Sequence, residues 1–324
     1  MILLFWIGFI VFIGVLLAID LGAFHKQDQE PSSLDALRMT LIWVAVALAF
    51  SGFIYGAYQH HWLGIGRDAL GIVQTDGKSA MLDFITGYLI EYSLSLDNIF
   101  VIALVFAYFK IPGKYQHRVL FWGILGAIVM RAGMILAGTA MVRAFDWMLY
   151  FFGAFLLFTA VKMLRNSDEE IHPDQSLLVR LLRKLFPVST AMDGNHFITR
   201  LPDGRRAVTL LLVTLVVVEN TDVLFAVDSI PAIFAVTCDP FIVFTSNIFA
   251  ILGLRSLYFA LNAILKRFHL LKFSIVFILA FVGAKMLVSK WIHITSMASL
   301  IVIFVALVLG IAMSFLFPPK SEST

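Results

Sequence analysis

A single cysteine, Cys238, is all the thiol that this 324-residue chain possesses. That excludes a disulfide within the chain and any cysteine-built metal cage. Charge is scarce as well: Asp, Glu, Lys and Arg make up 14% of the residues, where a soluble domain carries about a quarter. The eight histidines fall in polar connections or at the ends of apolar runs, so no imidazole site is expected deep in a core. No low-complexity tract and no second domain are visible, and no nucleic-acid partner is expected.

What fills the space is apolar. Hydrophobic residues reach 60% and the mean hydropathy is +0.93. Nine apolar runs fall at about 2–20, 39–58, 82–108, 119–141, 145–164, 207–236, 241–263, 271–288 and 296–317. Each is near or above the ~20 residues that a helix needs to cross a bilayer. The expected fold class is an all-α polytopic membrane protein, with residues 1–324 forming one transmembrane domain. The first run has no basic start and no small-x-small cleavage site, so it is expected to be a retained span rather than a signal peptide. Two polar connections are long, 59–80 and 165–206. The second is too charged for lipid, and "SLLVRLLRKLF" within it suggests an amphipathic helix on the membrane surface.

Basic residues orient the chain. If the spans alternate sides from Met1, sixteen Lys and Arg fall on the side of the C-terminus and four on the other, with four more inside spans. The positive-inside rule then places Met1 outside and Thr324 in the cytoplasm. The basic loop 165–206 is expected to touch anionic lipid headgroups.

Charges inside the spans reveal a repeat. Span three carries Glu91 and Asp97 followed by Asn98; span six carries Asp222 and Asp228 followed by Ser229. The next span of each set holds one arginine, Arg131 or Arg255, and the one after holds a lysine in nearly the same words, "TAVKML" with Lys162 and "VGAKML" with Lys285. Three matches in register exceed chance. Each copy has an odd number of spans, so the second enters from the opposite side. The pattern therefore predicts an inverted repeat of spans 3–5 and 6–8, with a site near the midplane between the copies.

The acids are costly. Between 208 and 236, seventeen Leu, Ile, Val and Phe residues contribute roughly 5–10 kcal/mol to insertion, against roughly 7–11 kcal/mol lost to Glu219, Asp222 and Asp228. Neighbouring residues, protons or a bound cation must make up the difference. At about 100° per residue, Glu219 and Asp222 share a helix face while Asp228 lies about 120° away. Pro231 removes one helical hydrogen bond and would free the carbonyl of Val227. A break between Asp228 and Pro231 is expected, with freed carbonyls joining the carboxylates.

The candidate metal-binding set is Glu91, Asp97, Asn98, Glu219, Asp222 and Asp228, with Ser229 beside them. All of it is oxygen, which suits Mg²⁺, Ca²⁺ or Mn²⁺ and not the softer metals that take His or Cys. Arg131, Arg255, Lys162 and Lys285 are the expected counter-ions, able to compete with a metal. The ion is read as a substrate, and no tightly bound cofactor is expected.

"EYSLSLDNIFV" and "ENTDVLFAVDSIPAIFAVT", with "IDLGAF" at 19–24, resemble the TerC family of integral membrane proteins, in particular its Alx-type members, over essentially the whole chain. The resemblance implies a nine-span bacterial inner-membrane transporter, similar to the LysE superfamily, linked to Mn²⁺ export and sometimes to Ca²⁺ handling. It implies the same acidic motif residues, Glu91, Asp97, Asn98, Glu219, Asp222 and Asp228, as the metal site. Manganese in particular rests on the resemblance; the residues alone point to a hard divalent cation.

Other readings compete. A membrane factor that loads metal into client proteins without bulk transport would need the same ligands. An intramembrane aspartyl protease would need a "YD" and "GxGD" pair, and neither occurs, so no enzyme is expected. The acids could instead form structural ion pairs, Asp97 with Arg131 and Asp228 with Arg255, but five deep acids exceed four deep bases. Asp20, at a span end, reads as solvated. The glycine-rich stretch "WGILGAIVMRAGMILAG" and the scattered methionines read as packing.

Overall fold

A computed structural model describes residues 2–24, 33–66, 75–145, 147–165, 180, 182, 184–189, 194–201, 204–261, 270–292 and 294–317. Ten α-helices are described: α1 (Ile2–Phe24), α2 (Ser33–Gln59), α3 (Gly77–Tyr108), α4 (Gly113–Ala144), α5 (Met148–Arg165), α6 (Leu210–Phe234), α7 (Pro240–Leu252), α8 (Leu254–Leu261), α9 (Leu271–Val288) and α10 (Ser296–Leu316). Eight segments are long and apolar enough to cross a membrane, α7 and α8 counting as one, and Leu4–Asp20 of α1 adds a shorter apolar helix. The protein is an all-α polytopic membrane protein, as expected.

Local chemistry sets the helix starts. Asp76 caps α3 by accepting from the Ser79 amide at 3.3 Å. Asp239 accepts from the amides of Phe241 and Ile242 at the head of α7, with Pro240 at the first helical position, where its missing N–H costs nothing. Thr295 caps α10 in the same way. At its far end α3 closes through Lys110, whose φ of 51° lets the Ile111 amide reach back to the Phe106 carbonyl at 2.9 Å.

The expected break at Pro231 is not found. α6 runs unbroken from Leu210 to Phe234 with Pro231 inside it. The proline removes one hydrogen bond, but Ile230, Ala232, Ile233 and Phe234 around it are buried and hold the last turn in place. The chain is interrupted instead at Gly253, between α7 and α8. Most of the expected amphipathic helix in loop 165–206 lies outside the described residues; Arg180, Leu182, Lys184 and Leu185 are helical. Its later part is not loop alone. Ile198–Arg200 (β1) and Arg206–Val208 (β2) form a small antiparallel hairpin with Ile198 opposite Val208.

α3 stands at the centre, in contact with α2, α6, α7 and α10. Corresponding helices of the two sequence copies touch: α3 with α6, α4 with α7, and α5 with α9. At the α5–α9 contact Gly153 and Gly283 face each other's backbone, since a Cβ on Gly153 would stand 2.9 Å from the Gly283 carbonyl and one on Gly283 would stand 2.8 Å from the Gly153 carbonyl. Only hydrogen fits there. Outward, Val129, Leu136, Phe158, Leu224 and Phe304 are exposed, an apolar belt that water would penalise and acyl chains solvate.

Candidate cation site

Arg131 of α4 is 1% exposed and sits where four helices converge. Its Nε and one terminal nitrogen donate to the two oxygens of Asp222 on α6, at 3.0 and 2.7 Å. Its other terminal nitrogen donates to Glu91 of α3 and to Asn247 of α7, the latter at 2.9 Å. Two amides complete the ring. Asn98 of α3 donates to Asp222 at 2.9 Å, and Asn247 donates to the second oxygen of Glu91 at 3.1 Å. Ser95 also faces Glu91, at 3.4 Å. A cation on α4 is thus held by oxygen from three other helices, away from water. Two carboxylates against one guanidinium leave one negative charge over.

Unused polar atoms surround this ring. Asn98 is 1% exposed, and its amide oxygen has no hydrogen-bond partner. One carboxylate oxygen of Glu219, one turn before Asp222, also has none. Glu219 lies against α4 at Gly126, where an added Cβ would fall inside the carboxyl group itself. The expectation that Glu219 and Asp222 share a face therefore holds, since both turn toward α4. A cavity of about 30 Å³ opens beside Asn98 and Asp222, with Ile102, Leu120, Arg255 and Tyr258 also on its walls. That is space for about one water-sized particle. Tyr258, on its wall, donates through its hydroxyl to Gln116 at 2.9 Å, near the α3–α4 turn.

The remaining sequence candidates lie elsewhere. Asp228 is half-buried and accepts from Thr159 of α5 at 3.1 Å, with the charge of Lys162 nearby. It does not pair with Arg255. Arg255 instead meets Asp20 of α1, donating to the carboxylate at 3.0 Å and to the Asp20 carbonyl at 2.9 Å. Asp20, expected to be solvated, is 3% exposed; an arginine reaching across from α8 lets the carboxylate be buried. Lys285 donates to Ser299 of α10 at 2.9 Å and faces Asp83 rather than any of the six expected ligands. Asp97 lies on α3, and its side chain is outside the described residues, so the pairing Asp97 with Arg131 is untouched; Arg131 has Glu91 and Asp222. Among the described residues, no three or more His, Cys, Asp or Glu stand together so as to hold a metal ion. Arg131 takes the position between the two acids that come closest.

Three participants escaped the sequence reading. Asn247 was hidden in "FTSNIFAIL", where the Thr-Ser-Asn run inside a fully buried span was the available signal. Asp20 was discounted for its place at a span end. Asp83, one turn into α3, accepts from Ser296 of α10 at 2.5 Å. Outside the spans, burial raises the Asp239 carboxyl above its usual range, although Tyr58 donates to it at 2.8 Å. The hydrogen bond from Ser79 holds the exposed Asp76 carboxyl below it.

Comparison with known proteins follows the same lines. The model of the integral membrane protein TerC family matches residues 76–322. The Myxococcus xanthus membrane protein STKORF319 is 46% identical over 298 residues, 92% of this chain and 88% of that one. A protein of Escherichia coli K12 named Alx, described as a membrane-bound redox modulator, is 44% identical over 311 residues, covering 94% and 92% of the two chains. A membrane protein of Rickettsia felis is 38% identical over 311 residues, covering 96% and 97%. No solved structure matches.

Proposed function

The chain belongs to the TerC family of integral membrane proteins, and from that premise we propose that it exports a hard divalent cation, Mn²⁺ first and Ca²⁺ second, across the bacterial inner membrane through the Arg131-centred site. The observation that carries this reading is the place of Arg131. Its guanidinium occupies an all-oxygen shell of Glu91, Asp222 and Asn247, the donor chemistry that Mn²⁺, Mg²⁺ and Ca²⁺ prefer. Arg131 acts as a tethered stand-in for the transported ion. When a divalent cation arrives, Arg131 gives way, and the free oxygens of Asn98 and Glu219 are at hand to complete the shell.

The excess negative charge of the ring sets the coupling. Metal ligands must be deprotonated, so cation binding and proton release are linked. Export of the cation is then exchanged for protons moving inward. Contacts between corresponding helices of the two copies support an inverted-repeat transporter whose halves rock about this site. Met1 is placed outside and Thr324 in the cytoplasm. A C-terminal reporter active only outside the cytoplasm would reverse that. The name of the Alx relative points to redox balance; with one cysteine in the chain, any redox effect here is indirect, through metal supply.

Purified protein in sealed vesicles, with a Mn²⁺ reporter and an internal pH dye, decides the matter. Mn²⁺ flux with opposed proton movement is expected. Flux without proton movement removes the antiport, and Mn²⁺ binding without flux moves the function to metal loading of client proteins.

A further inference from the structure

The cavity beside Asn98 and Asp222 has two charged side chains on its walls, Asp222 and Arg255. Asp222 is the one acid among the residues lining it. A cation that enters this cavity to reach Asp222 meets Arg255 on the same wall. An arginine on such an approach repels the ion, and if free to turn it has Asp222 as the acid facing the same space. The structure holds it back. Among the contacts of Arg255, two come from Asp20, through its carboxylate and its backbone carbonyl. Asp20 stands behind Arg255, on α1, outside the residues matched by the family model.

We infer that Asp20 is a positioning residue for the cation site: it neutralises Arg255 and keeps its guanidinium out of the cavity through which the ion reaches Asp222. This rests on the cation reading above and adds a residue to it. It gives α1 a task that anchoring alone does not require. It also separates the two arginines by role. Arg131 occupies the site and is displaced by the ion; Arg255 must be kept from occupying it.

A structural ion pair and a positioning pair differ in sign. If the pair only holds α1 to α8, removing either partner costs stability and leaves the cation affinity of the folded protein alike in both variants. If Asp20 positions Arg255, the two changes act oppositely on affinity. Full-length protein, purified and monodisperse, is titrated with MnCl₂, and its dissociation constant is read beside its melting temperature. Asp20→Asn removes the charge that neutralises Arg255, leaving residue 20 to offer it only the backbone carbonyl and an amide oxygen, and so loosens Arg255 toward Asp222; were Arg255 to fill the site nine-tenths of the time, the apparent constant would rise about tenfold. Asp20→Glu restores the charge and most of the affinity. Arg255→Gln removes the competitor, so binding stays as tight as in the parent or becomes tighter. The double variant Asp20→Asn/Arg255→Gln returns to within about twofold of the parent, because no competitor remains to be held. Equal weakening in both single variants, or parental affinity in Asp20→Asn, overturns the inference and leaves the cation site standing. Should Asp20→Asn not survive purification, Asp20→Ser takes its place in the same comparison, and the same outcomes decide. Absence of saturable Mn²⁺ binding in the parent overturns the cation reading and this inference with it.

Discussion

Arg131 and Arg255, the two largest side chains wholly buried in the bundle, keep unlike company. In the sequence they are equivalents, one in each copy of the repeat. In the fold Arg131 meets two carboxylates and an amide from α3, α6 and α7, while the ion pair of Arg255 is with one carboxylate from α1, a helix outside both copies. Duplicated motifs have therefore not produced duplicated sites. One arginine is bound into a ring where the two copies meet; the other is held at its edge. In the proposed transporter such an asymmetry has a use, because two halves in identical states would present the site to both sides or to neither.

The sharpest way to break this comparison is to remove each arginine in turn. Arg131→Gln leaves Glu91 and Asp222 buried without their cation, and unpairing a buried ion costs about 3–5 kcal/mol. Folded protein should fall steeply, seen as lost monodisperse yield and a lower melting temperature. Arg255→Gln leaves one carboxylate unpaired and should cost distinctly less. Equal losses would mean that the two environments are equivalent after all.

Glycines of α4 test the ring more gently. Gly126→Ala drives a methyl group into the Glu219 carboxyl, and overpacking of this kind costs about 1–3 kcal/mol. Mn²⁺ flux should fall with it. Gly133→Ala, where no atom lies within 4 Å, should leave flux and melting unchanged. Similar flux in the two variants would remove Glu219 from the site.

A cap variant separates stability from function. Asp76→Ala at the head of α3 should cost about 1 kcal/mol while flux persists, since the ring is far along the helix. The Asp76 carboxyl is held below its unfolded value, so its contribution is present above that value and fades as pH falls through the folded one. The melting difference between Asp76→Ala and the parent should shrink in acid. A difference that stays constant into acid would refute this.

The smallest expected change in stability is that of Asp228→Asn. The residue is half-buried and holds Thr159 through one oxygen, an interaction an amide can keep, so melting should move by less than about 0.5 kcal/mol. Flux should nonetheless be lost if the second copy's acid serves the passing ion. The same holds for Asp97→Asn. Parental flux in both would confine the function to the Arg131 ring.

Much of this was legible beforehand, for identifiable reasons. Period and length show spans, so the helices appear where the apolar runs lie. Charge in lipid is costly, so Glu91, Glu219, Asp222 and Arg131 stood out as residues with a purpose, and the shared face of Glu219 and Asp222 followed from helical pitch. Pairing was not legible. Which acid meets which arginine depends on how helices dock, and the partner of Arg255 came from a span that the repeat does not include. Asn247 was missed because an uncharged amide leaves little mark on hydropathy. The straight course of α6 through Pro231 reflects tertiary packing overriding a local rule.

The span from Pro240 to Leu261 deserves a last word. Its most apolar stretch is wholly enclosed by the other helices. In the finished protein its greasy surface never meets a lipid tail. Its hydrophobicity is therefore read by the insertion machinery on entry; afterwards the same side chains serve as mortar against α2, α3 and α4, which are already made. The span that supplies Asn247 and Arg255 thus finds Glu91, Arg131 and Asp20 on helices made before it, and a chain stopped after residue 263 should already bury those polar residues.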